Sequence, residues 1–254
     1  MVRKEFVFEE KKYRVRVEHD DHPHSPRDWD NIGEMLCRYP GYNLGDAHIT
    51  DAEKANAEEM CWEKIGKHTT EGVFEQLALS KDAIFWLPLT VYQHGGITMH
   101  IGSKMSWDYS PAGIIYITKE KLVNCYGEDW EGYFKKQWPV ETFEEKMTEI
   151  FTHEVKQYAN YLEGIVFWYG IEEEVHHEGD YCLCECGHDG CNKAKQPAPV
   201  WSHQESCGDF IGYPEESCIA EAIASDMGLY ENGKLKNKTA EKIFVVEELS
   251  CHLD

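Results

Sequence analysis

The chain opens with alternating apolar and polar positions, which predict a β-hairpin. Its arms cover residues 4–9 and 12–18, and in the second arm Tyr13, Val15 and Val17 alternate with charged side chains. Alternation with a period of two gives a strand one buried face and one solvated face. Longer and nearly continuous apolar runs predict strands that are covered on both faces, at residues 83–92, 113–118 and 164–169.

The clearest helix is predicted from residue 143 to residue 163. Its apolar side chains recur every three or four residues and form one stripe, made of Phe143, Met147, Phe151, Val155, Tyr158 and Leu162. Thr142 and Glu145 have the spacing of a capping box, which closes the first turn of a helix. Thr50 and Glu53 have the same spacing and predict a second helix that ends near residue 67. Shorter helices are predicted over residues 71–79, 119–124 and 215–227.

Strands and helices follow one another without a regular βαβ alternation, which predicts an α+β fold. We expect one mixed sheet backed by the 143–163 helix, with strands near residues 13–18, 84–92, 113–118 and 164–170. Residues 1–171 together with 200–254 would form a single domain. Residues 172–199 would be an inserted acidic hairpin, rich in cysteine and histidine and similar to a zinc finger. A polar loop over residues 20–50 is too long to be a simple connector.

The net charge of the chain disfavours some classes of binding partner. The sequence has 254 residues, and its 47 acidic and 25 basic side chains give a formal net charge of −22. Binding to nucleic acids draws on Lys and Arg, so direct contact with nucleic acids or with anionic membranes is disfavoured. No apolar run approaches the roughly 20 residues that span a bilayer, and the first residues lack the apolar segment of a signal peptide. We therefore expect a cytoplasmic protein whose cysteines stay reduced.

Six segments occur in order between residues 13 and 225 and resemble a known family. Their sequences are SPRDWDNIG at 25–33, YNLGD at 42–46, LPLTVYQHGGITM at 87–99, WD at 107–108 with GIIY at 113–116, YLEG at 161–164 after Tyr158, and ESCGDFIG at 205–212. The chain is similar in these segments to an uncharacterised family of small proteins that tailed bacteriophages encode. The resemblance implies a phage origin and action in the cytoplasm of an infected bacterium, and it implies no particular activity.

The chain departs from the family pattern at three places. Gly95 stands where the family has a serine after the histidine, and residues 109–112 intervene where Ser-Gly usually follows the WD pair closely. Residues 173–199 resemble an insertion between two strands that the family joins by a short acidic turn. A role that needs a hydroxyl at position 95 is therefore not expected here.

The inserted segment contains a cluster of cysteines that could bind zinc. Cys182, Cys184 and Cys186 alternate, so an extended chain places them on one face, and nearby glycines allow Cys191 or His188 to turn back toward them. Four thiolates, or three thiolates and an imidazole, satisfy tetrahedral Zn²⁺. We expect a structural zinc site at Cys182, Cys184, Cys186 and Cys191. The alternatives are a cysteine-rich turn without an ion, and disulfides within the cluster.

An acidic run leads into the cysteine cluster. Its carboxylates, with no Lys or Arg between them, are those of Glu172, Glu173, Glu174, Glu178 and Asp180. One interpretation is a solvated surface that keeps the protein soluble. The sharper interpretation is a surface that recognises a basic protein, such as the DNA-binding channel of a nuclease.

A second set of polar residues belongs to the 20–50 loop and to later histidines. The set is Asp20, Asp21, His22, His24, Asp28, Asp30, Asn31, Asp46 and His48, with His94, His100 and Asp108. Carboxylates and imidazoles that converge can hold a divalent ion and activate water. Asp and Asn also form turns through side-chain hydrogen bonds to the backbone, which is the alternative. A third interpretation is that these residues form a binding surface.

These observations lead to one leading hypothesis and three alternatives. The leading hypothesis is a phage accessory protein that binds and inhibits a host protein, a nucleic-acid-handling defence enzyme, without catalysing a reaction. The alternatives are a metal-dependent hydrolase, a binder of small signalling molecules, and a phage structural or assembly component. An exposed tryptophan, such as Trp29 or Trp201, could anchor the partner. Self-association is common among small proteins, and nothing in the sequence demonstrates it.

Overall fold

A computed structural model of the chain describes residues 2–8, 10–103, 105–176, 199–214, 217–231 and 234–235. These residues form two larger sheets, a short two-stranded pair and six α-helices. The α+β class predicted from the sequence is confirmed. None of the helices in these ranges has the length and apolarity needed to cross a lipid bilayer.

The elements are numbered in chain order. They are β1 (Val2–Phe8), β2 (Lys11–His19), a 3-10 helix (Pro26–Asp28), β3 (Glu34–Cys37), β4 (Ala47–His48), α1 (Asp51–Ile65), α2 (Thr70–Ser80), β5 (Ala83–Gln93), β6 (Ile97–Ile101), β7 (Tyr109–Thr118), α3 (Lys119–Tyr126), α4 (Trp130–Gln137), α5 (Phe143–Leu162), β8 (Val166–His176), β9 (Pro199–Ile211), α6 (Ile219–Asp226), β10 (Tyr230–Glu231) and β11 (Lys234–Leu235).

Contacts divide the chain into two compact units. The first unit contains residues 1–23 and 165–254, and the second contains residues 24–164. The single domain predicted from the sequence, with an insertion at 172–199, stays a prediction, and residues 177–198 of that insertion lie outside the described ranges.

The first unit is built on an antiparallel sheet in the order β1-β2-β8-β9. The β1–β2 hairpin is the one that the opening alternation predicts. Val15 and Val17 are buried, together with Phe167 and Tyr169 of β8, and α6 adds Ile219 to this core. The opposite face of β2 holds Lys12, Arg14 and Arg16.

The second unit is a five-stranded sheet between two helical layers, in the order β4-β3-β7-β5-β6. Alternate residues of β7 serve opposite cores, as expected for a strand covered on both faces. Ile115 belongs to the core that contains the apolar stripe of α5, and Ile114 belongs to the core that contains residues of α1 and α2. Gly113 allows β3 to approach, since a Cβ there would lie 2.0 Å from the Leu36 carbonyl oxygen.

The predicted helix starts are confirmed in detail. Thr50 accepts a hydrogen bond from the Glu53 backbone, and the Glu53 carboxylate accepts one in return, as a capping box requires. Thr142 and Glu145 make the same reciprocal pair at the start of α5. Gly164 follows the last residues of α5 with a φ of +74°.

The single mixed sheet predicted from the sequence is wrong. Strands near 13–18 and 164–170 belong to one sheet, and strands near 84–92 and 113–118 belong to the other. The local pattern of a strand identifies its buried face but not its partner strand. The pattern alone therefore does not show that these strands belong to two sheets. The 20–50 loop also contains β3 and β4, and β6 and α4 were not predicted.

Candidate functional site

The best-organised polar site in the described residues is centred on Arg27. Its guanidinium is only 5% exposed and makes a two-point contact with Asp46, with Nε to Oδ1 at 3.0 Å and Nη2 to Oδ2 at 2.6 Å. Nη1 donates to Glu154 Oε2 at 3.2 Å, and Nη2 also donates to the Gly33 carbonyl oxygen at 2.6 Å. One buried cation therefore joins the 3-10 turn, the β3–β4 region and α5.

Glu154 links this cation to the backbone. Its carboxylate is buried on α5 and accepts hydrogen bonds from the backbone N–H groups of Ile32 at 2.8 Å and Gly33 at 3.2 Å. Asp46 likewise accepts from the Met35 backbone N–H at 2.6 Å. Burying a carboxylate is favourable only when it is paired and hydrogen-bonded, and both conditions hold here. The loop from Pro26 to Gly33 is thereby held in one conformation.

The protonation states of the site follow from burial and charge. Burial alone opposes the charged guanidinium of Arg27, but the hydrogen bonds and charges of Asp46 and Glu154 outweigh it and raise the pKa of Arg27. Burial, helped by Asp46, raises the pKa of Cys37 to about 12. The Cys37 side chain is buried in the core that α5 covers, as is usual for a cysteine that packs as a small apolar residue.

The constrained loop presents Trp29 at the surface. Trp29 is 42% exposed and lies between Asp28 and Asp30, which are both exposed. Asn31 fixes the turn behind it, because its Nδ2 donates to the carbonyl oxygens of Pro26 at 2.7 Å and Trp29 at 3.1 Å. We call residues 28–32 the Trp29 ridge.

Two cavities flank the Trp29 ridge, and Trp29, Asn31 and Ile32 line both. The smaller, of about 220 Å³, continues to Arg27, Asp46, Glu34, Tyr116 and Lys121. The larger, of about 670 Å³, lies against α5 and is lined by Glu149, His153, Glu154 and Lys156, among others.

Carboxylates outnumber cations around the ridge. The carboxylates are those of Asp28, Asp30, Glu34, Asp46, Glu149 and Glu154, and the cations are Arg27, Lys121 and Lys156. Within the described ranges, neither Asp28 nor Asp30 forms an ion pair. The ridge therefore offers an aromatic face with excess negative charge, which is the combination that attracts ammonium and guanidinium groups.

The acidic run predicted to bind a partner lies partly on β8. Glu172 pairs with Arg14 and lies 3.3 Å from Arg16 Nε. Glu173 pairs with Lys11 at 2.9 Å and Glu174 with Lys12 at 3.4 Å. The hydrogen bond from Arg14 lowers the pKa of Glu172. These carboxylates are paired with cations of the same chain, a feature that the linear sequence conceals because β2 and β8 are 150 residues apart.

Two groups of predicted site residues in that segment lie outside the described residues. The first is Glu178 with Asp180, and the second is the set of proposed zinc ligands Cys182, Cys184, Cys186 and Cys191. Their roles stay predictions. Trp201, offered as an exposed anchor, is half-buried beneath Arg14, whose Cζ lies 4.4 Å from the centre of the ring.

The Asp/His set does not converge into one metal site. Across the parts of the chain that the structure describes, no three His, Cys, Asp or Glu side chains are placed to hold a metal ion. Asp20 accepts hydrogen bonds from the backbone N–H groups of His22 at 3.0 Å and Asp209 at 3.2 Å, which supports the turn interpretation. His94 Nδ1 and Asp108 Oδ1 are 3.6 Å apart on an exposed surface, without a third ligand among the described residues.

One feature of the sequence does indicate this site, a charged residue at a buried position of the predicted helix. Glu154 lies three residues after Phe151 and four before Tyr158, inside the apolar stripe of α5. A charged residue at a buried helical position needs a partner of opposite charge, and Arg27 in the SPRDWDNIG segment is that partner. Asp46 belongs to the Asp/His set predicted from the sequence, and its side chain holds the guanidinium of Arg27.

Comparison of the chain with protein-family models, with curated proteins and with solved structures finds no match. The resemblance to phage proteins therefore stays a prediction. Three of its landmarks meet at the Arg27 site: residues 25–33 and 42–46 through the Arg27–Asp46 contact, and Tyr158, whose hydroxyl accepts a hydrogen bond from the Gly45 backbone N–H at 3.0 Å.

Proposed function

We propose that this chain is a binding protein that occupies a basic surface on another protein, with the Trp29 ridge as its contact. In the setting that the family resemblance suggests, it is a phage accessory protein and its target is a host enzyme that handles nucleic acids. It acts by blocking that surface, without turnover. The single observation that carries the proposal is an exposed tryptophan held between two cavities whose walls are rich in carboxylates.

The chemistry of the ridge supports a basic partner. A Lys or Arg side chain that enters either cavity would lie near Trp29 and near a carboxylate without an ion pair among the described residues, Glu34 in the smaller cavity or Asp30 in the larger. Cation–π contacts and charge-assisted hydrogen bonds would then reinforce each other. The net charge of −22 extends the attraction beyond the contact and speeds the encounter with a basic surface.

The rigidity of the ridge supports binding as its role. The loop is held by six hydrogen bonds that Arg27, Glu154 and Asn31 make to its backbone or to each other. A surface that is already ordered loses little conformational entropy when it binds. Tryptophan is also among the residues that most often dominate binding energy at protein interfaces.

Enzymes that handle nucleic acids are the favoured class of target because they hold phosphates with Lys and Arg. An acidic protein that covers those side chains competes with the nucleic acid for the same charges. The paired carboxylates Glu172, Glu173 and Glu174 are not needed for this contact. Glu178 and Asp180, with a structural zinc at the cysteine cluster, remain a second proposed contact.

Affinity capture of the tagged chain from infected bacteria, followed by quantitative mass spectrometry and binding to the purified partner, tests the proposal. We expect one stoichiometric partner whose affinity falls at least about 30-fold with Trp29→Ser. Trp62→Ser is the matched control, since Trp62 is an exposed tryptophan on α1. Inhibition should reach completion at one chain per target. A partner retained in full by the Trp29 variant, or inhibition at far lower than equal amounts, would overturn the proposal.

A further inference from the structure

The most exposed of the large hydrophobic side chains in the described residues projects from the loop between β6 and β7. Trp107 is 99% exposed, and Met105 on the same loop is also largely exposed. We call Met105, Trp107 and Asp108 the tip. A wholly exposed indole is unusual in a monomer, because tryptophan gains much by burial and favours interfaces.

The base of this loop is anchored. The Gly102 backbone N–H donates to the Pro88 carbonyl oxygen at 2.8 Å, and the buried Thr90 hydroxyl donates to the Gly102 carbonyl oxygen. At the other end, the Gln93 backbone N–H donates to the Asp108 carbonyl oxygen at 3.0 Å. Trp107 is therefore presented by a loop whose two ends are fixed to β5.

An apolar cleft opens between α1, α2 and the start of β7. Its volume is about 310 Å³, which is sufficient for an indole, and its apolar walls are Ile49, Val73, Phe74, Leu77, Pro111 and Ala112. Its rim carries Arg38, Lys54 and His68, with Glu58 as the lining carboxylate. Arg38 and Lys54 are already paired, with Asp51 and Glu58 respectively, so the apolar walls are the distinguishing feature of the cleft.

The tip and the cleft are neighbours. The Thr70 hydroxyl lies 3.8 Å from the Met105 sulfur, within hydrogen-bonding reach, and Thr70 also lines the cleft. One surface of the second compact unit thus carries both a projecting tryptophan and an apolar recess. A two-fold symmetric contact requires this arrangement, because the same patch on each copy must provide both the inserted side chain and the cleft that receives it.

We propose that two copies of this chain associate through this surface, with Trp107 of each copy seated in the cleft of the other. The apolar walls and the volume of the cleft suit the indole, and the Thr70–Met105 contact places the tip beside the cleft. Two buried tryptophans contribute roughly 300–500 Å² of contact area, less than the roughly 1,200 Å² of a stable interface, so we expect a weak dimer that depends on concentration. This inference does not depend on the Trp29 ridge.

The net charge of the chain predicts how the dimer should depend on ionic strength. Two copies of charge −22 repel each other at long range, while the contact itself is largely apolar. Salt screens the long-range repulsion more than the close contacts. The dimer should therefore strengthen from low to moderate ionic strength.

Sedimentation velocity of the full chain over a concentration series, up to about 100 µM, measures the association. We expect a monomer–dimer equilibrium in the wild type. Trp107→Ser should weaken it by at least about 30-fold for each indole lost, and the homodimer loses two. Val73→Glu, which places a carboxylate in the cleft, should have a similar effect. Val140→Ser, at a position 93% exposed on another loop, is the matched control and should leave the dimer intact.

Mixing the two variants tests the reciprocal exchange directly. A copy with Trp107→Ser keeps its cleft, and a copy with Val73→Glu keeps its tryptophan. Their mixture should form a heterodimer of intermediate affinity, because one of the two contacts is restored. Recovery of this heterodimer also shows that both variants fold.

Several outcomes would overturn the inference. They are a wild-type chain that stays monomeric across the concentration and salt series, a dimer that survives Trp107→Ser, and variants that do not complement each other although circular dichroism shows both to be folded. Loss of host-protein capture by Trp29→Ser would be unaffected by these results. The two proposals therefore fail separately.

Discussion

Arg27 and Glu154 are 127 residues apart in the chain, and their side chains, 5% and 8% exposed, form an ion pair with Nη1 and Oε2 at 3.2 Å. The pair holds the loop that carries Trp29 against α5. A contact made for stability thus determines where the exposed indole points. Substitutions at this pair should alter folding and binding together, whereas substitutions of Trp29 should alter binding alone.

Replacement of Arg27 tests the energetic weight of the pair. Arg27→Ala leaves Glu154 buried without its cation, and we expect the free energy of unfolding to fall by about 3–5 kcal/mol. Urea denaturation monitored by circular dichroism measures this change. Arg38→Ala is the control, because Arg38 pairs with the highly exposed Asp51 and should cost about 1 kcal/mol or less. Equal losses in the two variants would contradict the role assigned to the Arg27 site.

Gly45 precedes Asp46 and is required by close packing as well as by its conformation. Its φ is +71°, and a Cβ there would lie 2.7 Å from the Met35 carbonyl oxygen. Gly45→Ala should therefore destabilise the chain by more than the roughly 1–2 kcal/mol of left-handed strain alone. Gly95→Ala isolates that strain, because Gly95 has a φ of +76° with nothing within 4 Å of its Cβ position. Thermal denaturation of both variants should show the larger loss at position 45.

Stability should depend on pH through Glu53. The hydrogen bond from Lys81, followed by those from Thr50, lowers the pKa of Glu53 from 4.5 to about 2. Because the folded-state pKa is depressed, the stabilisation is complete above the unfolded value and is lost as the pH falls from 4.5 toward about 2.

Urea denaturation of the wild type and Glu53→Gln, from about pH 6 down to about pH 3, measures this dependence. The wild type should be more stable by roughly 0.5–1 kcal/mol near neutrality, with a difference that shrinks in acid. Glu59→Gln on the same helix is the control, since Glu59 forms no ion pair within the described ranges. A difference that grows in acid would contradict the assignment.

The zinc site predicted from the sequence can be tested by elemental analysis. We expect about one zinc per chain after purification without chelators, and loss of that zinc in Cys182→Ser and Cys191→Ser. Cys125→Ser is the control, because Cys125 lies on α3, outside the cluster. Wild-type protein that contains no zinc when purified and refolded with zinc present would contradict the prediction.

Local elements could be predicted from the sequence more fully than their assembly. The α5 stripe and both capping boxes were predicted because their signals lie within one or two helical turns. The pairing of β2 with β8 was not, because partner choice depends on packing between distant segments. β3 was missed because four residues within a polar loop give too short a pattern.

The candidate site was only partly predictable for the same reason. Trp29 and Asp46 were named from their neighbourhoods, but the pairing of Arg27 with Glu154 spans most of a compact unit. The unpaired appearance of Glu172, Glu173 and Glu174 along the sequence was misleading. The cations that pair with them lie on the neighbouring strand β2, so the sequence around the glutamates does not show them.

The register of the β8–β9 hairpin makes the first unit suitable for grafting. Val175 pairs with Val200 and His176 with Pro199, while the ion pairs to β2 secure the same stretch of β8. A short turn inserted between positions 176 and 199 could therefore close the ladder in place of the intervening 22 residues. The same junction could accept a foreign peptide or reporter, which makes it a convenient attachment point for labelling the first unit.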